Sequence, residues 1–124
     1  MLDLALAPGT IAWASLDPIR GREQGGHRPV LVISSAGHLD AATTLAIVLP
    51  ITTVDRNWPN HVAVTGHSGL ERASWIMTEQ PRTLSRHRLT GIAGHVDAGC
   101  LAQVRTWLGD FLDLWPMPGR AAGS

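Results

Sequence analysis

Three short stretches of the 124-residue chain collect residue types able to hold a phosphate or move a proton. The first runs from Asp17 to Pro29 and sets Arg20, Arg22, Glu23, Gln24, His27 and Arg28 among Gly21, Gly25 and Gly26. Glycines let backbone amides approach an anion closely. Arg28 stands at the entrance of a buried strand, stiffened by Pro29, where its guanidinium can grip a phosphate through two forked donors. The same composition also fits a solvated loop with an Arg–Glu ion pair, and it lacks the Gly-Lys-Ser/Thr element of a P-loop. The second stretch is Pro50-Ile51-Thr52-Thr53 at a strand end, where a hydroxyl could serve catalysis, although strands favour threonine for its shape alone. The third, Glu79 to Arg88, packs an acid, an amide, three arginines (Arg82, Arg86, Arg88) and a histidine into ten residues. It reads either as a charged surface turn or as a second patch for phosphates or base edges.

Other chemistries find less support. The six histidines form no His-Glu-x-x-His pattern, there is no cysteine pair, and the acids do not cluster, so neither a metal nor another cofactor is expected. Cys100 falls at the start of an amphipathic segment and reads as a small packing residue. No nucleophile elbow marks a serine hydrolase. Among the five tryptophans, Trp107 and Trp115 sit on or near a helix stripe, and Trp58, in a loop with Pro and Asn, is best placed to stack on a base.

The elements that must carry these residues are short and mostly β. Thr10–Leu16, Pro29–Ser34, Leu45–Ile51, His61–Val64, Ser74–Met77 and Gly91–Val96 read as strands, and Val30-Leu31-Val32-Ile33 reads as buried on both faces. The period then changes: Leu101, Val104, Leu108, Phe111 and Trp115 form one helix stripe, with Asp97 as N-cap and Pro116 and Pro118 as stops. This pattern predicts a small antiparallel barrel or sandwich with a C-terminal helix, one domain over residues 1–116 and a loose tail over 117–124. The loops 17–27 and 52–60 are long for so small a domain. A single cysteine and an N-terminus reading Met1-Leu2-Asp3-Leu4 point to a cytoplasmic protein with no membrane association.

In order and spacing, these pieces resemble the MazF/PemK family of bacterial toxin endoribonucleases over about residues 9–113. Gly9-Thr10-Ile11-Ala12-Trp13 with Leu16-Asp17-Pro18 is similar to the family's first strand. Gly21 to Ser34 is similar to its signature loop and second strand, the most specific part. Pro50-Ile51-Thr52-Thr53 and Glu79-Gln80-Pro81-Arg82-Thr83, followed by Arg88-Leu89 and Gly94, complete the match. The resemblance implies an SH3-like small barrel with a C-terminal helix. It implies a homodimer that cuts single-stranded RNA without metal or cofactor, leaving 2′,3′-cyclic phosphate and 5′-hydroxyl ends, and that a cognate MazE-like antitoxin blocks. Arg28 then matches the signature-loop arginine, Thr52 the catalytic threonine and Glu23 the loop acid. His27 and Glu79 are rivals for proton transfer. Arg20, Arg22, Gln24, Thr53, Trp58, Gln80, Arg82 and Arg86 are the expected RNA contacts. Met77 stands where some members carry an arginine. A related barrel also hosts non-catalytic gyrase-binding toxins of the CcdB type, and the Arg28/Thr52 pair separates the two.

The charge balance at first opposes RNA. Ten arginines and ten acids give a formal net charge of zero, whereas nucleic-acid binders are usually basic. Segment by segment, residues 20–28 and 79–88 each hold three arginines and one glutamate, a net of +2 apiece. Residues 1–17 and 97–113 each carry −2. Two basic segments on a neutral chain predict a local field that draws phosphate, a short footprint and a shallow salt dependence.

Overall fold

The computed structural model describes residues 4–15 and 26–114. Seven strands carry the fold: β1 Thr10–Ser15, β2 His27–Val32, β3 Leu45–Thr52, β4 His61–Ala63, β5 Trp75–Met77, β6 Arg82–Ser85 and β7 Leu89–His95. Two helices, α1 Ala36–Ala41 and α2 Ala98–Phe111, complete the described elements, together with a 3-10 turn at Arg86–Arg88. The strands of the described residues pair antiparallel throughout, and the path runs β4-β5-β3-β2-β1-β7. β3 pairs β2 along one edge and forks along the other, taking β6 at Leu45–Val48 and β5 at Ile51–Thr52.

Alternation sorts the three central strands into two cores. Ala12, Ala14, Val30, Val32, Ala46 and Val48 point to one side and meet Leu39 of α1, Leu84 of β6 and Leu89 of β7. Ile11, Leu31, Leu49 and Ile51 point to the other side and meet Val62, Ile76 and, from α2, Cys100 and Val104. The expectation that β2 is buried on both faces therefore holds: Val30, Leu31 and Val32 are all fully buried. The mainly β architecture with a C-terminal helix also holds. The barrel-like curl is left open among the described residues, since β4 and β7 do not pair. Register shifts between Ile11 and Ala12 and between Trp13 and Ala14 bend β7 around β1.

Three expectations need correction. Arg82–Ser85, within the segment read as a turn or contact patch, is a strand with Leu84 turned into the first core. Six residues after Ser34-Ser35 form α1, capped by the Ser35 hydroxyl, which accepts from His38 N at 3.0 Å. On α2 the buried positions are Cys100, Val104 and Gly109, while Phe111 is 46% exposed. The helix lies on β4 by its N-terminal half, where Cys100 Sγ reaches Ala63 O at 3.5 Å; Leu108 still packs on the second core, and only the end of the helix at Phe111 is exposed. It ends at Phe111, before Pro116, with Asp113 in the left-handed region. Trp115, the tail 117–124, Leu16-Asp17-Pro18 and the rest of the signature loop through Gly25 lie outside the described residues.

Asp97 caps α2 as expected. Its Oδ1 accepts from Cys100 N at 2.8 Å and from the Thr65 hydroxyl at 3.0 Å. These two hydrogen bonds hold its carboxyl below the usual range. Beside it, the 64–70 loop lies flush on β7: His95 N donates to His67 O at 2.9 Å, and Asp97 N to Thr65 O at 3.0 Å. A Cβ on Gly94 would stand 2.1 Å from His67 O, a backbone atom that cannot swing aside.

Two measurements check this packing. Gly94→Ala should cost about 1–3 kcal/mol or more in urea unfolding, because the added methyl forces two backbones apart. Asp97→Ala should lower the melting temperature, while Asp97→Asn keeps both accepted bonds. Because the folded pKa is depressed, the cap's ionic contribution is complete above the ordinary aspartate value of 3.8 and fades as pH falls further. The gap between wild type and Asp97→Asn should therefore close in acid.

Candidate active site

The β2–β3 ladder brings the first two stretches together. Its pairs are Val30↔Pro50, Leu31↔Leu49 and Val32↔Val48. Neither Pro29 nor Pro50 can donate to a ladder, so regular pairing stops at this point. Continued by two residues, the same register sets Arg28 opposite Thr52, both on the side of the first core. Arg28 is exposed, and its partner on β1 is the small, buried Ala14. Thr52 is half-buried, and its Oγ1 accepts from Val54 N at 3.1 Å, which leaves its O–H free to donate.

The same row continues onto the fork. Thr52 pairs with Trp75 on β5, and Trp75 pairs with Ala63 on β4. Trp75 is thus a half-buried aromatic beside the candidate threonine. Sequence reasoning passed it over for Trp58, because only the short β3–β5 pairing reveals the neighbour. Two pairs further along the same ladder, Met77 pairs with His61.

At that edge lies a second polar cluster. His61 is 7% exposed, and its Nε2 stands 3.1 Å from both Glu79 oxygens. A carboxylate only accepts, so Nε2 carries the proton and donates. Asn60 Nδ2 donates to Glu79 Oε1 at 2.8 Å and to Thr78 Oγ1 at 3.2 Å, and the Thr78 hydroxyl donates to Asn60 O at 2.8 Å. Gln80 Nε2 reaches Glu79 Oε2 at 3.4 Å. The Trp58 ring, 48% exposed, lies 4.7 Å from the His61 ring. Burial opposes ionisation of Glu79, but its backbone amide, the His61 contact and Gln80 together hold its carboxyl below the usual range. The sequence had singled out Glu79, Gln80 and Trp58. It missed Asn60, His61 and Thr78, for which a bare Asn-His before a strand was the one available signal.

Other candidates fall elsewhere. His27 opens β2 opposite Ser15 and, by alternation, faces away from Arg28. Thr53 is exposed in the bend just past β3. Arg82 is exposed and opposite Val48, on the Arg28 side but about 13 Å from Thr52 along the strand at the usual rise. Arg86 is tied into the scaffold: its Nε donates to Leu45 O at 2.9 Å, and its Nη2 to the carbonyls of Leu39 and Ala42 at the end of α1. Arg88 Nη1 holds Ser15 O at 2.9 Å, the last described carbonyl before the signature loop. Burial pushes the Cys100 thiol up, which suits a packing residue rather than a nucleophile. Glu23, Arg20, Arg22 and Gln24 lie outside the described residues. Among the described residues, no group of three or more His, Cys, Asp or Glu could hold a metal ion.

The family model of the PemK-like, MazF-like toxin of type II toxin–antitoxin systems matches residues 7–112. The chain belongs to that family. It is 37% identical to the endoribonuclease EndoA of Bacillus subtilis over 72% of this chain and 78% of the relative. It is 34% identical to the endoribonuclease MazF9 of Mycobacterium tuberculosis over 86% of this chain and 96% of the relative. Its fold is similar to that in a MazE–MazF crystal structure from Deinococcus radiodurans, with a TM-score of 0.77 and 31% identity over 90% of this chain and 99% of the other. The match spans both halves of the site, from Arg28 and Thr52 to the His61–Glu79 cluster.

The arginines of the third stretch are separable by experiment. Arg86→Ala removes charged donors from three carbonyls and should cost about 1.5–3 kcal/mol in chemical unfolding. Arg82→Ala should leave stability within about 0.5 kcal/mol of wild type, as for exposed sites generally.

Proposed function

We propose that this toxin-family chain is a sequence-specific endoribonuclease that cuts single-stranded RNA without a metal, at a phosphate held between Arg28 and Thr52. The observation that supports the reading is the β2–β3 register: its last pair is Val30↔Pro50, and two residues further along the same register Arg28 would face Thr52. The relatives from Bacillus subtilis and Mycobacterium tuberculosis are both endoribonucleases, which speaks for catalysis over a binding-only toxin. RNA brings its own nucleophile. The 2′-oxygen attacks phosphorus as its proton leaves to a base. The P–O5′ bond breaks, and the 5′-oxygen takes up a proton. The products are a 2′,3′-cyclic phosphate and a 5′-hydroxyl.

Arg28 supplies charge and two directed donors to the phosphorane oxygens. A guanidinium is a poor general base. The Thr52 hydroxyl donates to a non-bridging oxygen. Glu23 is the proposed proton acceptor, since His27 faces away and Glu79 stands across the fork. Arg20, Arg22 and Gln24 in the loop, with Thr53 and Arg82, are proposed to track the strand. The Deinococcus relative crystallised as a MazE–MazF complex, which supports a MazE-like antitoxin as the partner of this chain. A homodimer and a cytoplasmic setting complete the reading.

Incubation with a long RNA in EDTA should give discrete fragments with 5′-hydroxyl ends. Arg28→Ala should slow cleavage by about 100-fold or more, and Thr52→Val should also slow it. Absence of discrete fragments across varied RNAs, or full activity in Arg28→Ala, would sink the proposal. Activity that EDTA abolishes would overturn the metal-free mechanism. Light scattering at micromolar concentration should give twice the chain mass, and a monomer would contradict the dimer.

A further inference from the structure

The His61–Glu79 cluster stands too far from Thr52 to share its chemistry. His61 is two strands from β3 and two residue pairs beyond the Thr52↔Trp75 row. At the usual strand spacing and rise, that is about 12 Å between the His61 and Thr52 backbones. A proton acceptor must lie within about 3 Å of its proton, or one water away. Glu79 is held by His61 at the far end of that span.

The cluster is nevertheless a built site. His61 is buried with its Nδ1 atom lacking any partner among the described residues, a local cost that folding alone does not require. Its other nitrogen and Asn60 hold a carboxylate whose side chain stays 29% exposed. Oε1 already takes two donors, while Oε2 has His61 and only a long contact from Gln80, so acceptor capacity remains on the open side. A fixed, ionised acceptor repels phosphate. It suits a group that presents N–H donors, and Trp58 beside it offers a flat stacking surface.

Building on the reading above, we infer that Glu79 is a base-reading residue, positioned by His61 and Asn60, that takes a donor-bearing base edge a fixed distance from the cut phosphate. Guanine fits best, because its Watson–Crick edge sets N1–H and N2–H side by side. The amino groups of adenine and cytosine fit with one donor. Uracil fits worst, because its single N3–H is flanked by two carbonyls that oppose the carboxylate.

The test is to sequence the cleavage sites of a mixed RNA pool cut by the wild type, Glu79→Gln and Glu79→Asp. The wild type should show a donor-bearing base, guanine foremost, at one fixed position of its motif. Both variants should reduce that preference roughly tenfold to a hundredfold, the range set by one good base contact, and still leave 5′-hydroxyl ends. His61→Ala should weaken the same position and no other, and His61→Gln, which keeps an N–H donor, should restore part of it. Glu79 is partly exposed, so its variants keep the test sharp if His61→Ala fails to fold. An unchanged motif with uniformly slower cleavage in both Glu79 variants would overturn the inference, as would a wild-type motif with uracil at every fixed position. No cleavage of any RNA by the wild type would overturn the endoribonuclease reading as well.

Discussion

The two faces of β1, β2 and β3 differ in size, and the rest of the structure depends on that difference. The first core takes Ala12, Ala14, Ala46 and three valines from these strands, while the second takes Ile11, Leu31, Leu49 and Ile51. Polarity cannot set the register of strands that are apolar on both sides; volume can. A slip of one residue would drive leucines and isoleucines into spaces fitted to alanine and valine, and would leave voids opposite. The small face is also the one around which β6 and β7 curl, since they deliver Leu84 and Leu89 to it. Arg28 and Thr52 continue that face past the end of the ladder. The face they share is thus a consequence of core packing several residues away.

This division explains what could be read from the chain. Double-sided burial of β2, the Asp97 cap and the change to helical period are local patterns, and each survives in the fold. What escaped reading is non-local. α1 is too short to show a period, and Arg86 braces its end across a separation of more than forty residues. β6 looked like a charged turn because only Leu84 of its four side chains is buried. The stripe on α2 holds at Val104 and Leu108 but departs at its ends, Cys100 replacing Leu101 and Phe111 staying exposed, because the helix docks on a sheet whose place the pattern cannot give. The site divided in the same way. Arg28, Thr52 and Glu79 stood out by residue type and setting. Trp75 and His61 matter through pairings made at the fork of β3.

The arginines show how one residue type serves two tasks. In the 79–88 segment, Arg86 and Arg88 hold backbone carbonyls and Arg82 stays exposed. A guanidinium bound to carbonyls keeps its charge, so the bracing arginines still add to the surface field that a net charge of zero conceals. The structural demand and the electrostatic one do not conflict. Replacing these residues by lysine would keep the field but lose the fork that spans several carbonyls.

An ionised acid inside a region meant to draw RNA looks like a contradiction, and distance resolves it. The Thr52 and His61 backbones, which anchor the two ends, are about 12 Å apart at ordinary strand spacing. That exceeds the Debye length of about 8 Å at physiological ionic strength. In the proposed reading each end therefore acts on its own part of a bound strand: the cation on a phosphate, the anion on the donors of a base. β5 and β4 act as the spacer between them. The fork in β3, which breaks the sheet's regular closure, separates the group that would do chemistry from the group that would choose where it happens.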